Sequence, residues 1–146
     1  MGNGTFEYIS NFSKESTELH DLWRFFSSAD NLAKITPFPK VIILSNPVTT
    51  IGNKIEMELN FYLFRLKWHS KIIDMKVESY FIDVGQKIPF PFRKWKHIHE
   101  FEVNEGVIQM RDIVEYEAYL PRQVISVLLW FMFSGRKKEL MKVFNP

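Results

Sequence analysis

The chain has 146 residues, 19 basic against 17 acidic, and no cysteine. That length is one domain's worth, residues 1–146, able to bury a core without covalent or metal staples. Thiolate catalysis, disulfides and cysteine-ligated metal sites are excluded, and a net charge of +2 is too small to point to nucleic acid as a partner.

The 14 phenylalanines supply enough apolar area to line something wide as well as to fill a centre. The opening MGNGTFEYIS has neither the basic nor the apolar region of a signal peptide. Phe6 stands where a myristoylation signal wants Ser or Thr. The longest near-apolar run, Val124 to Phe133, is far short of the ~20 residues that cross a bilayer. A soluble, cytoplasmic protein is the expectation.

In chain order, Thr5 to Ser10 reads as a short strand, with Phe6 and Tyr8 alternating against Glu7 and Ile9. Leu19, Leu22, Trp23 and Phe26 then fall at helical spacing, and Asp30 is placed to cap a second short helix that Pro37 ends. Val41 to Ser45 is a short apolar strand closed by Asn46-Pro47. From Lys54 to Phe64, Ile55, Met57, Leu59 and Phe61 alternate with Lys54, Glu56, Glu58 and Asn60. Leu66, Trp68, Ser70 and Ile72 continue that face against Lys67, His69 and Lys71. These two runs are expected to pair antiparallel, one face wet and one buried. Ser79 to Asp83 is a further strand, interrupted by the prolines of QKIPFPFRK, which cannot sit in a central ladder.

The next strand is unusual. In WKHIHEFEV, Trp95, His97, His99, Phe101 and Val103 point one way, and Lys96, Ile98, Glu100 and Glu102 the other. The charged set faces water, so the rings and imidazoles face inward. Glu105-Gly106 then offers a two-residue turn into VIQMRDIVEYE. That turn pairs Asn104 with Val107, Phe101 with Met110, His99 with Asp112, His97 with Val114 and Trp95 with Tyr116. A one-residue slip would send Asp112 to water.

The chain closes on a helix. Pro121 suits its first turn, and Ile125, Leu128, Leu129 and Met132 form an apolar stripe that Leu140 and Phe144 continue. Gly135 lowers helix propensity and marks a candidate bend or break.

Several pieces form a spaced set: Phe81-Ile82-Asp83; Pro91 leading to Trp95, His97, His99 and Phe101; Asp112, Val114 and Tyr116; and Phe133 with Arg136. Trp23, Asn31, Leu32, Ile35, Thr36 and Pro37 precede them. Over nearly the whole chain this set resembles the START-like or SRPBCC superfamily, in particular bacterial proteins grouped with polyketide cyclases and coenzyme-Q-binding START proteins. Phe90 departs from the family's glycine before Pro91, and the loop from Asp83 to Trp95 is longer, which bears on a cavity mouth rather than on the fold. The resemblance implies an α+β helix-grip fold: a curved antiparallel sheet of six to seven strands around a long C-terminal helix, with two short helices after the first strand. It also implies a hydrophobic ligand cavity between sheet and helix, but no particular ligand.

The residues expected to face such a ligand are Trp68, Trp95, His97, His99 and Phe101 from the middle strands. Met110, Asp112 and Tyr116 join them from the following strand, and Leu128 and Met132 from the helix. For His97, His99 and Asp112 the readings stay open between a buried polar cluster in which Asp112 fixes the tautomer of His99, a ligand-orienting group, and acid–base catalysis. Two histidines and a carboxylate also imitate a non-haem iron site, but His69 falls on the outer face and no metal or other cofactor is expected. Asp83 points inward and needs a donor: the Trp95 indole, a loop amide or Arg136. The basic clusters FRKWK and GRKK allow transient contact with an anionic membrane surface. The leading expectation is a binder of a lipid, isoprenoid or polyketide-like molecule. The alternative is a cyclase or dehydratase using a cavity histidine. Whether the loop from Gln86 to Lys94 acts as a lid stays open.

Overall fold

At the turn joining the two strands richest in inward-facing residues, Glu105 and Gly106 both have positive φ, 43° and 80°. This is the primed geometry whose twist matches that of paired strands. In the computed structural model, which describes residues 2–144, the turn joins β6 (Phe92–Asn104) to β7 (Val107–Ala118). The pairing runs Asn104 with Val107, Phe101 with Met110, His99 with Asp112, His97 with Val114 and Trp95 with Tyr116, the register the alternation requires.

The other elements are β1 (Gly2–Ser13), α1 (Leu19–Phe26), α2 (Ala29–Lys34), β2 (Lys40–Ile43), β3 (Lys54–Asn60), β4 (Arg65–Lys76), β5 (Tyr80–Lys87) and α3 (Arg122–Phe144). Among the described residues the strands form one seven-stranded antiparallel sheet in the order β1-β7-β6-β5-β4-β3-β2. Only β1 leaves chain order, so α1 and α2 carry the chain from one edge of the curled sheet to the other. This is the α+β helix-grip architecture. No described helix is long and apolar enough to cross a membrane.

Four local expectations change. β1 starts at Gly2 rather than Thr5, because its glycines permit close approach: a Cβ on Gly2 would lie 2.5 Å from the Leu120 carbonyl oxygen. β5 continues through Lys87, since both prolines of the following loop lie beyond its end. Ser28, not Asp30, caps α2; its hydroxyl accepts from the Asp30 backbone N–H, which leaves Asp30 in the first turn. α3 runs unbroken through Gly135, which faces Pro37; a Cβ there would come within 3.3 Å of the proline ring. The glycine serves helix-to-loop approach rather than a bend.

The core has two parts. In one, Trp23 of α1 meets Phe81 and Phe101 edge-on, with centroids 6.0 and 5.3 Å away, beside Phe12, Ile108 and Leu140. In the other, Trp95, Val114 and Tyr116 pack against Ile125, Leu129 and Phe133 of α3. Each buried aliphatic or aromatic side chain of this kind contributes roughly 1.5–3 kcal/mol. On β6, Trp95 belongs to one part and Phe101 to the other, with His97 and His99 between them.

Candidate functional site

Phe133 of α3 stacks on Phe6 and Tyr8 of β1, with ring centroids 5.7 and 5.9 Å apart. The helix therefore leans towards the β1 edge, and the concavity over β3, β4 and β5 keeps a cavity of about 240 Å³. Its wall is mostly apolar: Ile55 and Met57 of β3, Trp68 and Ile72 of β4, Phe81 of β5, and Leu129 and Met132 of α3. Pro39, Phe61, Pro89 and Phe90 also line it, bringing the loop between β5 and β6 to the mouth. Against this background Asp83, His97, His99 and Arg136 form a compact polar patch.

Within the patch, His97 Nε2 lies 2.8 Å from Asp112 Oδ1 and His99 Nε2 lies 2.9 Å from Asp83 Oδ2. Carboxylates accept, so each Nε2 carries the hydrogen and donates it. The two imidazoles stack with centroids 3.6 Å apart, and Phe81 covers the other face of His99 at 3.9 Å. Both hydrogen bonds are diagonal. His99 is directly opposite Asp112, and His97 directly opposite Asp83, yet each imidazole reaches the other carboxylate. Diagonal neighbours on a sheet face lie about 7–8 Å apart, a span that suits an imidazole, a hydrogen bond and a short carboxylate. Asp112 thus bonds His97 rather than the expected His99, from which it is 3.5 Å away at Nδ1. Asp83 finds His99 instead of the indole, amide or guanidinium expected.

Arg136 Nε donates to Thr36 Oγ1 at 3.0 Å, and that hydroxyl donates to the Leu32 carbonyl at 2.7 Å. α2 therefore positions the guanidinium from behind. Burial pulls Arg136 below its ordinary value, opposed by the charges of Asp112 and Asp83. Burial also lowers His99, helped by the neighbouring His97 and opposed by the hydrogen bond to Asp83, so its neutral form is favoured. For Asp112, burial works to raise the value, but the His97 hydrogen bond and the charges of His97, His99 and Arg136 prevail and hold it below the usual carboxylate range.

Of the residues singled out from sequence, Trp68, Trp95, His97, His99 and Met132 line this cavity. Five lie elsewhere. Phe101 and Met110 are packed in the core beside Trp23, and Asp112 sits behind His97. Tyr116 is covered by β1, with its hydroxyl 2.8 Å from where a Cβ on Gly4 would be, and by Phe92. Leu128 is 49% exposed, because one residue along a helix is a 100° rotation and Leu129 takes the inward position. His69 lies outside the cavity wall, and His20 is exposed, 3.1 Å from Glu78. The sequence names Arg136 only as a candidate donor for Asp83 and assigns neither Phe61 nor Ile55 to the ligand, although alternation along Lys54 to Phe64 already puts both inward.

Asp83, His97 and His99 present donor atoms within 4.8 Å of one another, a grouping a small cation fits. Both Nε2 atoms are instead committed as hydrogen-bond donors, and the Arg136 charge already acts on both carboxylates. As arranged, these side chains form a hydrogen-bonded polar cluster in which, of the imidazole nitrogens, only the Nδ1 lone pairs remain for a cation.

No protein-family model matches the chain, and no curated protein sequence matches it significantly. Solved structures do. Protein CV1439 from Chromobacterium violaceum superposes with a TM-score of 0.79 at 11% identity, over 97% of each chain. Ginseng major latex-like protein 151 from Panax ginseng gives 0.70 at 11%, over 97% of this chain and 99% of its own. Ara h 8.0201 gives 0.69 at 14%, over 98% of both. At such identities the likeness is one of fold: this chain shares the helix-grip architecture of these proteins.

Proposed function

We propose that the protein binds a small hydrophobic molecule bearing one carbonyl or hydroxyl group. The observation that carries this reading is the cavity of about 240 Å³, apolar but for the patch of Asp83, His97, His99 and Arg136 and the hydroxyls of Ser28, Thr36, Thr49 and Ser70. Apolar walls supply affinity, and a few convergent polar groups orient the ligand. A cavity of 150 Å³ holds benzene, so this one encloses roughly ten non-hydrogen atoms. A bicyclic aromatic or the end of an isoprenoid fits inside, and a longer chain extends through the mouth. Two carboxyl groups beside one guanidinium disfavour a further anion, so a neutral polar head suits the patch better than a carboxylate. Transport or sequestration of such a molecule is the role that follows.

Titration with N-phenyl-1-naphthylamine, a neutral hydrophobic fluorophore, tests the reading together with native mass spectrometry of protein from its own host. Saturable binding of one fluorophore per chain, or a co-purifying small molecule, is expected. Absence of both rules the binding role out.

A second reading is a cyclase or dehydratase acting on a bound carbonyl compound. It is favoured by two imidazoles that border the cavity, each oriented by its own carboxylate, as general acid–base chemistry requires. Turnover of a polyketide-like carbonyl substrate that is lost in both His97→Ala and His99→Ala, with the fold intact, would establish it. Equal activity in wild type and variants would remove it.

A further inference from the structure

The mouth of the cavity is surrounded by apolar side chains that none of the described residues covers. At the tip between β3 and β4, Leu63 is 94% exposed and Tyr62 77%, and Phe90 on the opposite loop is 66% exposed. Phe38 stacks on Tyr62 at 6.0 Å, and Phe61 on Phe64 at 4.9 Å. Phe61 and Phe90 also line the cavity, so the exposed aromatic surface is continuous with its wall.

The third side of the mouth is α3. Leu129 and Met132 face the cavity. At 100° per residue, Leu128, Val124 and Phe131 follow Met132 round the helix on the side away from Phe133 and β1. All three are exposed, Phe131 at 72%. Monomeric proteins rarely leave contiguous apolar surface of this kind open unless it meets a partner or a membrane.

Charge selects between the two. The rim residues fall within residues 31–55, 61–73, 84–98 and 118–138, stretches bordered by Asp30, Glu56, Asp74, Asp83, Glu117 and Glu139. These stretches contain most of the basic residues and none of the 17 acidic ones. Lys40, Arg65, Lys87 and Arg93 are exposed and lie within two residues of cavity-lining positions. The nearest acid on β3, Glu58, is held by Arg65 at 3.7 Å. Three members of the basic clusters read from sequence are employed otherwise: Lys94 and Lys96 reach Glu117 and Glu115 across the ladder, and Arg136 lies in the cavity wall. Aromatic and leucine tips on separate loops, flanked by more basic than acidic side chains, fit the interface of an anionic bilayer.

We propose that this rim docks on an anionic lipid bilayer, with the β3–β4 tip, the Phe90 loop and the Leu128–Phe131 side of α3 inserted at the headgroup level. The cavity mouth then opens onto the acyl region. Co-sedimentation with phosphatidylcholine vesicles, with and without phosphatidylglycerol, tests this. Wild type is expected to bind the anionic vesicles, and less so as salt rises.

Leu63→Asp and Phe131→Asp change solvent-facing positions, so melting temperature should hold while the bound fraction falls by about tenfold or more. The proposal is overturned if wild type ignores anionic vesicles or if the variants bind as well as wild type. It is also overturned if wild type is a dimer that Phe131→Asp dissociates, since the surface then belongs to a second copy. N-phenyl-1-naphthylamine binding without vesicles should be unchanged in both variants. Loss of vesicle binding by wild type that still takes the fluorophore removes docking alone. Vesicle binding by wild type that takes no fluorophore removes the cavity reading alone.

Discussion

His97 and His99 lie ring on ring, 3.6 Å between centroids, yet they donate to carboxylates on opposite sides, Asp112 of β7 and Asp83 of β5. The stacked pair therefore ties three strands together at the floor of the cavity. Its two anchors differ in exposure: the Asp112 side chain is 7% accessible and that of Asp83 15%. Removing a buried acceptor leaves its donor without water or partner, at about 1–3 kcal/mol. Asp112→Ala should fall in that range. Asp83→Ala should cost less, because water from the cavity can replace the lost oxygen. Urea denaturation of both variants checks the order; a larger loss at Asp83 contradicts it.

Acid should destabilise the fold in two stages. Burial first, then His97, holds His99 below its ordinary 6.5. Below that pH the unfolded chain takes up a proton that the folded chain refuses, so unfolding is favoured. The stability from His99 is thus complete above 6.5 and is lost as the pH falls from there to the lowered folded value. Asp112 acts with the same sign at lower pH. Its folded value lies below 3.8, so its contribution is present above 3.8 and disappears as the pH falls through the folded value. Melting temperature should decline as the pH falls below 6.5 in wild type. It should decline less in His99→Gln, which keeps a donor for Asp83 but cannot titrate. Parallel profiles would show that His99 does not control the upper stage.

The fold was legible because β6 and β7 obey strict alternation and the turn between them allows one register. The same rule put both histidines, Asp83 and Asp112 on the inner face. It could not assign the hydrogen bonds, since facing and diagonal partners share that face, and side-chain reach decides between them. Nor could it separate cavity from core. Phe101 and Trp95 occupy equivalent positions on one strand, but α1 brings Trp23 against Phe101, while α3 leans towards β1 and leaves space beside Trp95. Leu128 illustrates the remaining limit: α3 is apolar on nearly every face of its first half, so periodicity alone does not say which face is buried.

Trp23 should dominate the end of the half-barrel that α1 closes. It is buried and meets Phe81 and Phe101 edge-on. Truncating a buried tryptophan costs about 3–5 kcal/mol through lost transfer energy and an unfilled cavity. Trp23→Ala should therefore unfold at much lower urea than wild type. Phe38→Ala removes a smaller ring that is half exposed, and should stay within about 0.5 kcal/mol of wild type. A comparable loss for both would mean that Phe38 is covered in solution.

The cavity itself can be closed from α3. Met132 is partly buried and lines it opposite Trp68 and Ile72, with no hydrogen bond to disturb. Met132→Trp adds ring volume towards the empty space, so stability should be retained or slightly raised. Occupied volume removes the ligand's place, and N-phenyl-1-naphthylamine affinity should fall by about tenfold or more, the equivalent of about 1.4 kcal/mol. Met132→Ala should do the reverse: a larger cavity, stability lower by about 2–5 kcal/mol at most, and fluorophore binding preserved. Thermal melts beside fluorescence titrations separate the two effects. If Met132→Trp binds the fluorophore as wild type does, the fluorophore sits outside the cavity.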